Sequence, residues 1–225
     1  MSAARILAID TTAEFGSIAL AEGGTVIDEI LLHSPEGFGH ILFPQVEQLL
    51  ARRQWRLQDI DCFAGMAGPG SFTGVRIGLT AVKGLAEATG KPAVGVSNLR
   101  ALAWFGTATR RAVVLDARRG EVYGAVYDNR LDVVSDEVVT KFPAWLASLP
   151  EGNLEFIFTD PALFTSALAG TRFADAVVTA APRALAGAAA CVADRVFELG
   201  LATDPAAIDA NYVRRSDAEL LWKDR

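Results

Sequence analysis

The chain has 225 residues, 51% of them hydrophobic and 21% charged, with a net charge of −6 and a pI of about 5.0. That balance describes a well-packed polypeptide of one large or two small domains. It argues against a protein that grips a nucleic-acid backbone by itself, because phosphate binding needs a positive surface. No apolar run approaches the ~20 residues that span a bilayer. The start enters a strand at once, without a signal-peptide core, and Cys62 and Cys191 lie far apart with no metal spacing. The expectation is a cytoplasmic protein with reduced thiols and no membrane partner.

In chain order, residues 5–9 read as a strand closed by Asp10, followed by strands at 17–21 and 26–32 across the turn Glu22-Gly23-Gly24. A helix is expected at 39–53, with Ile41, Leu42, Val46, Leu49 and Leu50 on one face. A buried strand at 60–64 runs into a glycine-rich hinge, a helix at 75–88 and a short strand at 93–96. The second half begins again. Strands at 112–115 (closed by Asp116), 121–127 and 133–140 precede a short helix at 143–149, a strand at 155–159, a helix at 161–169 and a last strand at 177–178. The order β-β-β-α-β-α-β thus occurs twice, with Asp10 and Asp116 at matching places. This predicts two related α/β lobes, each a mixed sheet with helices: an N-terminal lobe at 1–97, a connecting segment at 98–109 that is helical at 99–105, and a C-terminal lobe at 110–225. The last carries a C-terminal helix and tail, for which packing back on the first lobe is also open. Two such lobes describe the actin-like (ASKHA, ribonuclease H-like) architecture. An Asp ending each first strand there faces phosphate and metal, so Asp10, Thr11 and Asp116 are candidates for a vestigial nucleotide site on fold analogy alone.

The hinge, from Gly65 to Gly78, matches no common phosphate cradle. No Lys follows Gly74, as a P-loop requires; a Gly-x-Gly-x-x-Gly pattern starting at Gly68 has its last glycine one residue late; Pro69 and Thr73 stand where a nucleophile elbow needs glycines. Gly68 and Gly70 therefore read as backbone-shaping residues, with Ser71 and Thr73 as helix caps; an anion site at the helix start is the sharper alternative. Winding the helix sorts it into an apolar stripe (Val75, Leu79, Val82, Ala86), a polar stripe (Arg76, Thr80, Lys83, Glu87) and a ridge of mostly small residues (Gly74, Gly78, Ala81, Leu85, Ala88). The ridge suits close packing, either inside the lobe or against a partner helix, and spacing leaves both open. His33 and His40 are seven apart and make no helical metal pair; no base stands near Ser71 or Thr73 in sequence. No catalytic residue and no metal site are expected. The basic tail through Arg214 and Arg215 is a surface segment or a partner contact.

The stretch from Gly68 to Gly78, GPGSFTGVRIG, resembles the signature of the bacterial TsaB (YeaZ) family. The likeness extends to Ile6-Leu7-Ala8-Ile9-Asp10-Thr11, to His40 and Pro44, to Gly95-Val96-Ser97, to Asp116-Ala117-Arg118-x-Gly120-Glu121-Val122-Tyr123 and to Tyr212-Val213-Arg214. It implies a non-catalytic scaffold and activator for threonylcarbamoyl transfer to the adenosine beside the anticodon of ANN-reading tRNAs (t6A synthesis). Such a protein binds a TsaD-like catalytic paralogue as a heterodimer that a TsaE-like ATPase joins, forms a homodimer when alone, and meets tRNA only through the complex. It needs no cofactor itself; ATP and metal are expected in the partner subunits. Relatives use the first two long helices of the N-terminal lobe as the bundle interface. On that likeness His40, Gly74, Gly78, Ala81 and Leu85 are the expected partner-interface residues. The alternative is an active ASKHA-type ATPase or phosphotransferase, which needs a second-lobe glycine-rich loop where Thr159-Asp160-Pro161 stands.

Overall fold

The first strand, β1 (Arg5–Asp10), is buried at every position after its first, as a strand covered on both faces must be. The computed structural model describes residues 3–214, so Arg215 of the basic tail lies outside the described residues. Beside β1 lies β2 (Phe15–Glu22), antiparallel to it, and beyond it β3 (Thr25–His33), antiparallel to β2. On its other side β4 (Cys62–Gly68) and β5 (Ala93–Ser97) run parallel, giving the sheet order β3-β2-β1-β4-β5. The second sheet holds β6 (Arg110–Asp116), β7 (Glu121–Asp128), β8 (Val133–Lys141), β9 (Glu155–Phe158) and β10 (Val178–Ala180). Its order, β10-β9-β6-β7-β8, repeats that of the first, so the internal duplication read from the sequence is real in strand pairing as well as in strand succession.

Two helices cover one face of the first sheet: α1 (Leu42–Arg52) and α2 (Phe72–Thr89). Strand residues alternate sides, and Leu7, Ile9, Ile18, Leu20 and Phe63 meet Leu42, Val46, Leu49, Val75, Leu79 and Val82 in one apolar core. The opposite face presents small residues, with Ala8, Ala19, Ala21 and Ala64 fully buried. It is covered by a helix from far along the chain. After α3 (Asn98–Ala103), α4 (Phe142–Ser148) and α5 (Thr165–Leu168), α6 (Ala186–Glu198) returns to lie on β1, β2 and β4. Every residue of α6 from Ala186 to Asp194 is buried.

The chain accordingly divides into two units, Met1–Ala101 with Pro182–Ala210, and Leu102–Ala181 with the segment after Ala210. The break falls inside α3 where a connecting segment at 98–109 was expected, and α6 packs on the first sheet, the option left open for the C-terminal helix. The reason is coverage, because without α6 the alanine face of that sheet would lie open to water. The expected helix at 39–53 starts later, at Leu42, after a turn in which Leu42 N bonds to Phe38 O (3.0 Å). The expected helix at 161–169 splits into a 3-10 turn at Pro161–Leu163 and the short α5.

The second unit is packed by rings. Phe142, Trp145, Phe156, Phe158, Phe164 and Phe173 form its centre, with neighbouring centroids 5.1–6.5 Å apart. Gly124 of β7 leaves room for the Trp145 indole, which lies where a Cβ would be.

Candidate functional site

Asp10 ends β1 and is 1% exposed. Its Oδ1 accepts from Thr12 N (2.9 Å) and Thr12 Oγ1 (2.6 Å), so the carboxyl folds onto its own turn. Asn98, at the start of α3, donates through Nδ2 to Thr12 Oγ1 (2.5 Å) and accepts from Gly68 N at Oδ1 (3.0 Å). One side chain thereby ties the turn after β1 to the end of β4. Burial pushes the Asp10 carboxyl up to about 6; the two Thr12 hydrogen bonds pull the other way, and Glu29 adds a smaller upward push.

The hinge wraps this turn closely. Ser71 N donates to Thr12 O (2.7 Å), and Thr11 Oγ1 donates to Gly74 O (2.7 Å). A Cβ on Gly70 would lie 2.6 Å from Thr12 O, one on Gly78 would lie 2.6 Å from Thr11 Oγ1, and one on Gly74 would overlap Thr11 O. Gly74 and Gly78 of α2, with Gly70 just before it, therefore let the helix lie across the Asp10-Thr11-Thr12 turn. Gly68 has φ 100° at the Gly68–Pro69 cis peptide, a backbone suited to glycine. Ser71 caps α2, accepting from Gly74 N (3.3 Å); Thr73 lies exposed in the first turn, and the cap is not its own.

This placement corrects the expected partner interface. Gly74, Gly78 and Ala81 are buried inside their own unit, and Leu85 is half-buried against its core. Gly74 and Gly78 meet a turn of the same chain. What α2 turns outward is the row Arg76, Thr80, Gly84 and Ala88. On α1 the outward residues include Phe43, 51% exposed, with Pro44 and Glu47, and His40 is exposed just ahead of them.

Asp116, the matching residue of the second unit, has another environment. It is exposed, accepts from Arg118 N at Oδ1 (2.8 Å) and stands 3.8 Å from the Arg118 guanidinium. Among the described residues no group of three or more His, Cys, Asp and Glu side chains is placed to hold a metal ion. No helix among them is long and apolar enough to cross a membrane.

Three further polar side chains were not foreseen. Ser17 Oγ accepts from Leu185 N (3.1 Å) and Ala186 N (2.9 Å), and Glu29 Oε1 accepts from Gly187 N (2.7 Å). These are the first amides of α6, capped from distant strands. Asp194, farther along α6, points Oδ2 toward Gly24, and burial raises its pKa. Burial raises that of Glu29 as well. A carboxylate inside an alanine-rich helix was visible in the sequence, but its partner could be found only once α6 was placed.

Paired mixed sheets of identical strand order, each with an Asp closing its first strand, define a two-lobed α/β protein of the actin-like class. A sequence model described as TsaD: tRNA N6-adenosine threonylcarbamoyltransferase matches residues 36–197. The Bacillus subtilis tRNA threonylcarbamoyladenosine biosynthesis protein TsaB is 31% identical over 228 residues, covering 96% of this chain and 97% of the relative. The Escherichia coli protein of the same name is 46% identical over 127 residues, 55% of this chain and 54% of the relative. The solved structure of YeaZ from Pseudomonas aeruginosa, 26% identical, superposes with a TM-score of 0.72 over 93% of this chain and 99% of that one. The chain belongs to the TsaB (YeaZ) family.

Proposed function

We propose that this chain serves t6A synthesis as a non-catalytic scaffold and activator that binds a TsaD-like threonylcarbamoyltransferase. The observation that carries the reading is the enclosure of Asp10. The carboxyl that the fold class would aim at phosphate and metal is buried, saturated at Oδ1 by its own turn, and covered by a helix whose glycines fit that turn. A group so committed organises the lobe. The names of the B. subtilis and E. coli relatives supply the pathway.

The partner face is the outward side of α1 and α2, with Phe43 as its apolar anchor and Gly84 as the point of closest approach. Gly84 has nothing within 4 Å of a Cβ position, so a larger residue there spares the fold. A homodimer formed in the absence of the transferase uses the same face. A TsaE-like ATPase joins the pair, ATP and metal belong to the partner subunits, and the assembled complex engages tRNA. The setting is the cytoplasm.

Reconstitution tests this. The chain, the TsaD-like and TsaE-like proteins of the same cell, threonylcarbamoyl-adenylate and an ANN-reading tRNA are combined, and modified adenosine is measured by mass spectrometry. The chain alone yields none, and the mixture yields product. Gly84→Leu keeps the wild-type melting temperature and loses both transferase capture and stimulation. Product from the chain alone, or full stimulation by Gly84→Leu, overturns the reading.

A further inference from the structure

At the β6–β7 turn three successive residues, Arg118 (φ 64°), Arg119 (φ 55°) and Gly120 (φ 70°), take left-handed backbone. Glu121 N donates to Arg118 O (3.0 Å), which makes Arg119 and Gly120 the central pair of a hairpin turn with two positive φ angles. Such turns favour Asn-Gly or Gly-Gly, and arginine is strained there. Outside groups hold the strained backbone. Arg118 N donates to Asp116 Oδ1 (2.8 Å), Lys141 Nζ to Arg119 O (2.7 Å), and Arg214 Nη1 to Ala117 O (2.9 Å). Arg214 also pairs with Glu121 and lies 5.8 Å from the Tyr123 ring centroid.

Among the described residues the turn brings Arg118, Arg119, Lys141 and Arg214 together, with the carboxylates of Asp116 and Glu121 beside them. The Arg118 side chain is 82% exposed, its guanidinium 3.8 Å from Asp116 Oδ2. This concentration occurs in a chain whose net charge is −6. The second unit thus gathers positive charge on a backbone pinned in a costly shape, and strain of that kind collects at functional sites. Guanidinium forks on a fixed backbone match phosphate oxygens, and a row of phosphates needs several cations on one surface.

We propose that the 117–120 turn, with Lys141 and Arg214, is a docking surface for the phosphodiester backbone of an RNA. The proposal rests on the functional reading above, in which the substrate of the assembled complex is a tRNA; it adds which residues of this chain reach it.

The test is fluorescence anisotropy of an unmodified ANN-reading tRNA transcript with the full chain, alone and mixed with the transferase, between about 50 and 200 mM salt. In the mixture the double variant Arg118→Gln/Arg119→Gln binds about tenfold more weakly at the lowest salt, and its plot of log affinity against log salt is shallower by about 2. Arg110→Gln/Arg130→Gln makes the same charge change at the opposite end of these strands and leaves both quantities unaltered. Arg119→Gly separates charge from shape: it raises the melting temperature by relieving the backbone, yet lowers tRNA affinity. Wild-type affinity and salt slope in the 118/119 variant, or no tRNA binding by the wild-type mixture, overturn the proposal. If that variant binds tRNA normally and still captures and stimulates the transferase, the surface is wrong and the scaffold reading stands. If the variant loses tRNA binding while the wild-type chain fails to associate with the transferase, the surface stands and the scaffold reading falls.

Discussion

Asp10 in the first unit and Glu155 in the second are about equally hidden from water, at 1% and 2% exposure, yet their acidities move in opposite directions. Burial raises both. At Asp10 the opposition is two hydrogen bonds from one threonine, and burial wins. At Glu155 Thr179 Oγ1 (2.6 Å), Ala108 N (2.7 Å) and Thr107 N (2.7 Å) all donate, the Arg111 charge lies near, and the pKa ends below its usual value. Asp10 lies much deeper in its unit than Glu155, so burial weighs more there, whereas at Glu155 three donors and the Arg111 charge outweigh it. The signs follow. Asp10, raised above its unfolded value, favours folding at low pH, and that contribution is lost as pH climbs from about 4 to about 6. Glu155, lowered, favours folding above its unfolded pKa, and its contribution is lost as pH falls below it.

The largest expected effect tests the Glu155 side. Glu155→Ala strands two backbone amides and a hydroxyl, removes the negative charge near Arg111, and costs about 4 kcal/mol in denaturant unfolding. A loss under about 1 kcal/mol at neutral pH means that the donors find water instead. Next, Asp10→Asn keeps the oxygen that accepts from Thr12 and removes the charge. A shift from 3.8 to about 6 corresponds to at most about 3 kcal/mol. The variant is more stable than the wild type by up to that amount at pH 8 and equal to it near pH 4. Glu29 and Asp194 are shifted in the same direction, so part of the wild-type slope persists. A variant less stable than the wild type at pH 8 breaks the contrast.

Two glycines extend the comparison to packing. Gly124→Ala drives a methyl into the buried Trp145 indole, and Gly78→Ala drives one against Thr11 Oγ1. Each costs about 1–3 kcal/mol, more at Gly124, where a whole ring must move. Adding Thr11→Ala to Gly78→Ala restores part of the loss, which thermal melting of the pair will show. The smallest effect is that of Ser71→Ala. Losing the α2 cap costs about 1 kcal/mol and leaves stimulation of the transferase intact. A folded Ser71→Ala that binds the transferase but supports no modification would return this serine to the chemistry.

Local signals carried much of this structure. The strand succession, the closing aspartates, the Ser71 cap and the core faces of α1 and α2 follow from patterns within a few residues. The ridge of Gly74 and Gly78 shows where the reading stopped. Small residues at helical spacing announce that something comes close, and the same spacing serves a partner helix or, as here, the turn at Thr11 and Thr12. Asn98, Ser17, Glu29 and Glu155 were invisible for a related reason. Each bonds to a segment remote in sequence, and nothing in its neighbours specifies the partner. The place of α6 had to be seen for the same cause.

The order in which the ribosome delivers these parts gives α6 one more consequence. All five strands of the first sheet are made by Ser97, but the helix that covers its alanine face ends at Glu198. Roughly a hundred residues, most of them of the second unit, must be synthesised between the two, about 5–20 s at common elongation rates. For that interval the nascent N-terminal lobe carries a bare apolar sheet outside the exit tunnel, so a chaperone, or rapid completion of the chain, must shield it until α6 arrives.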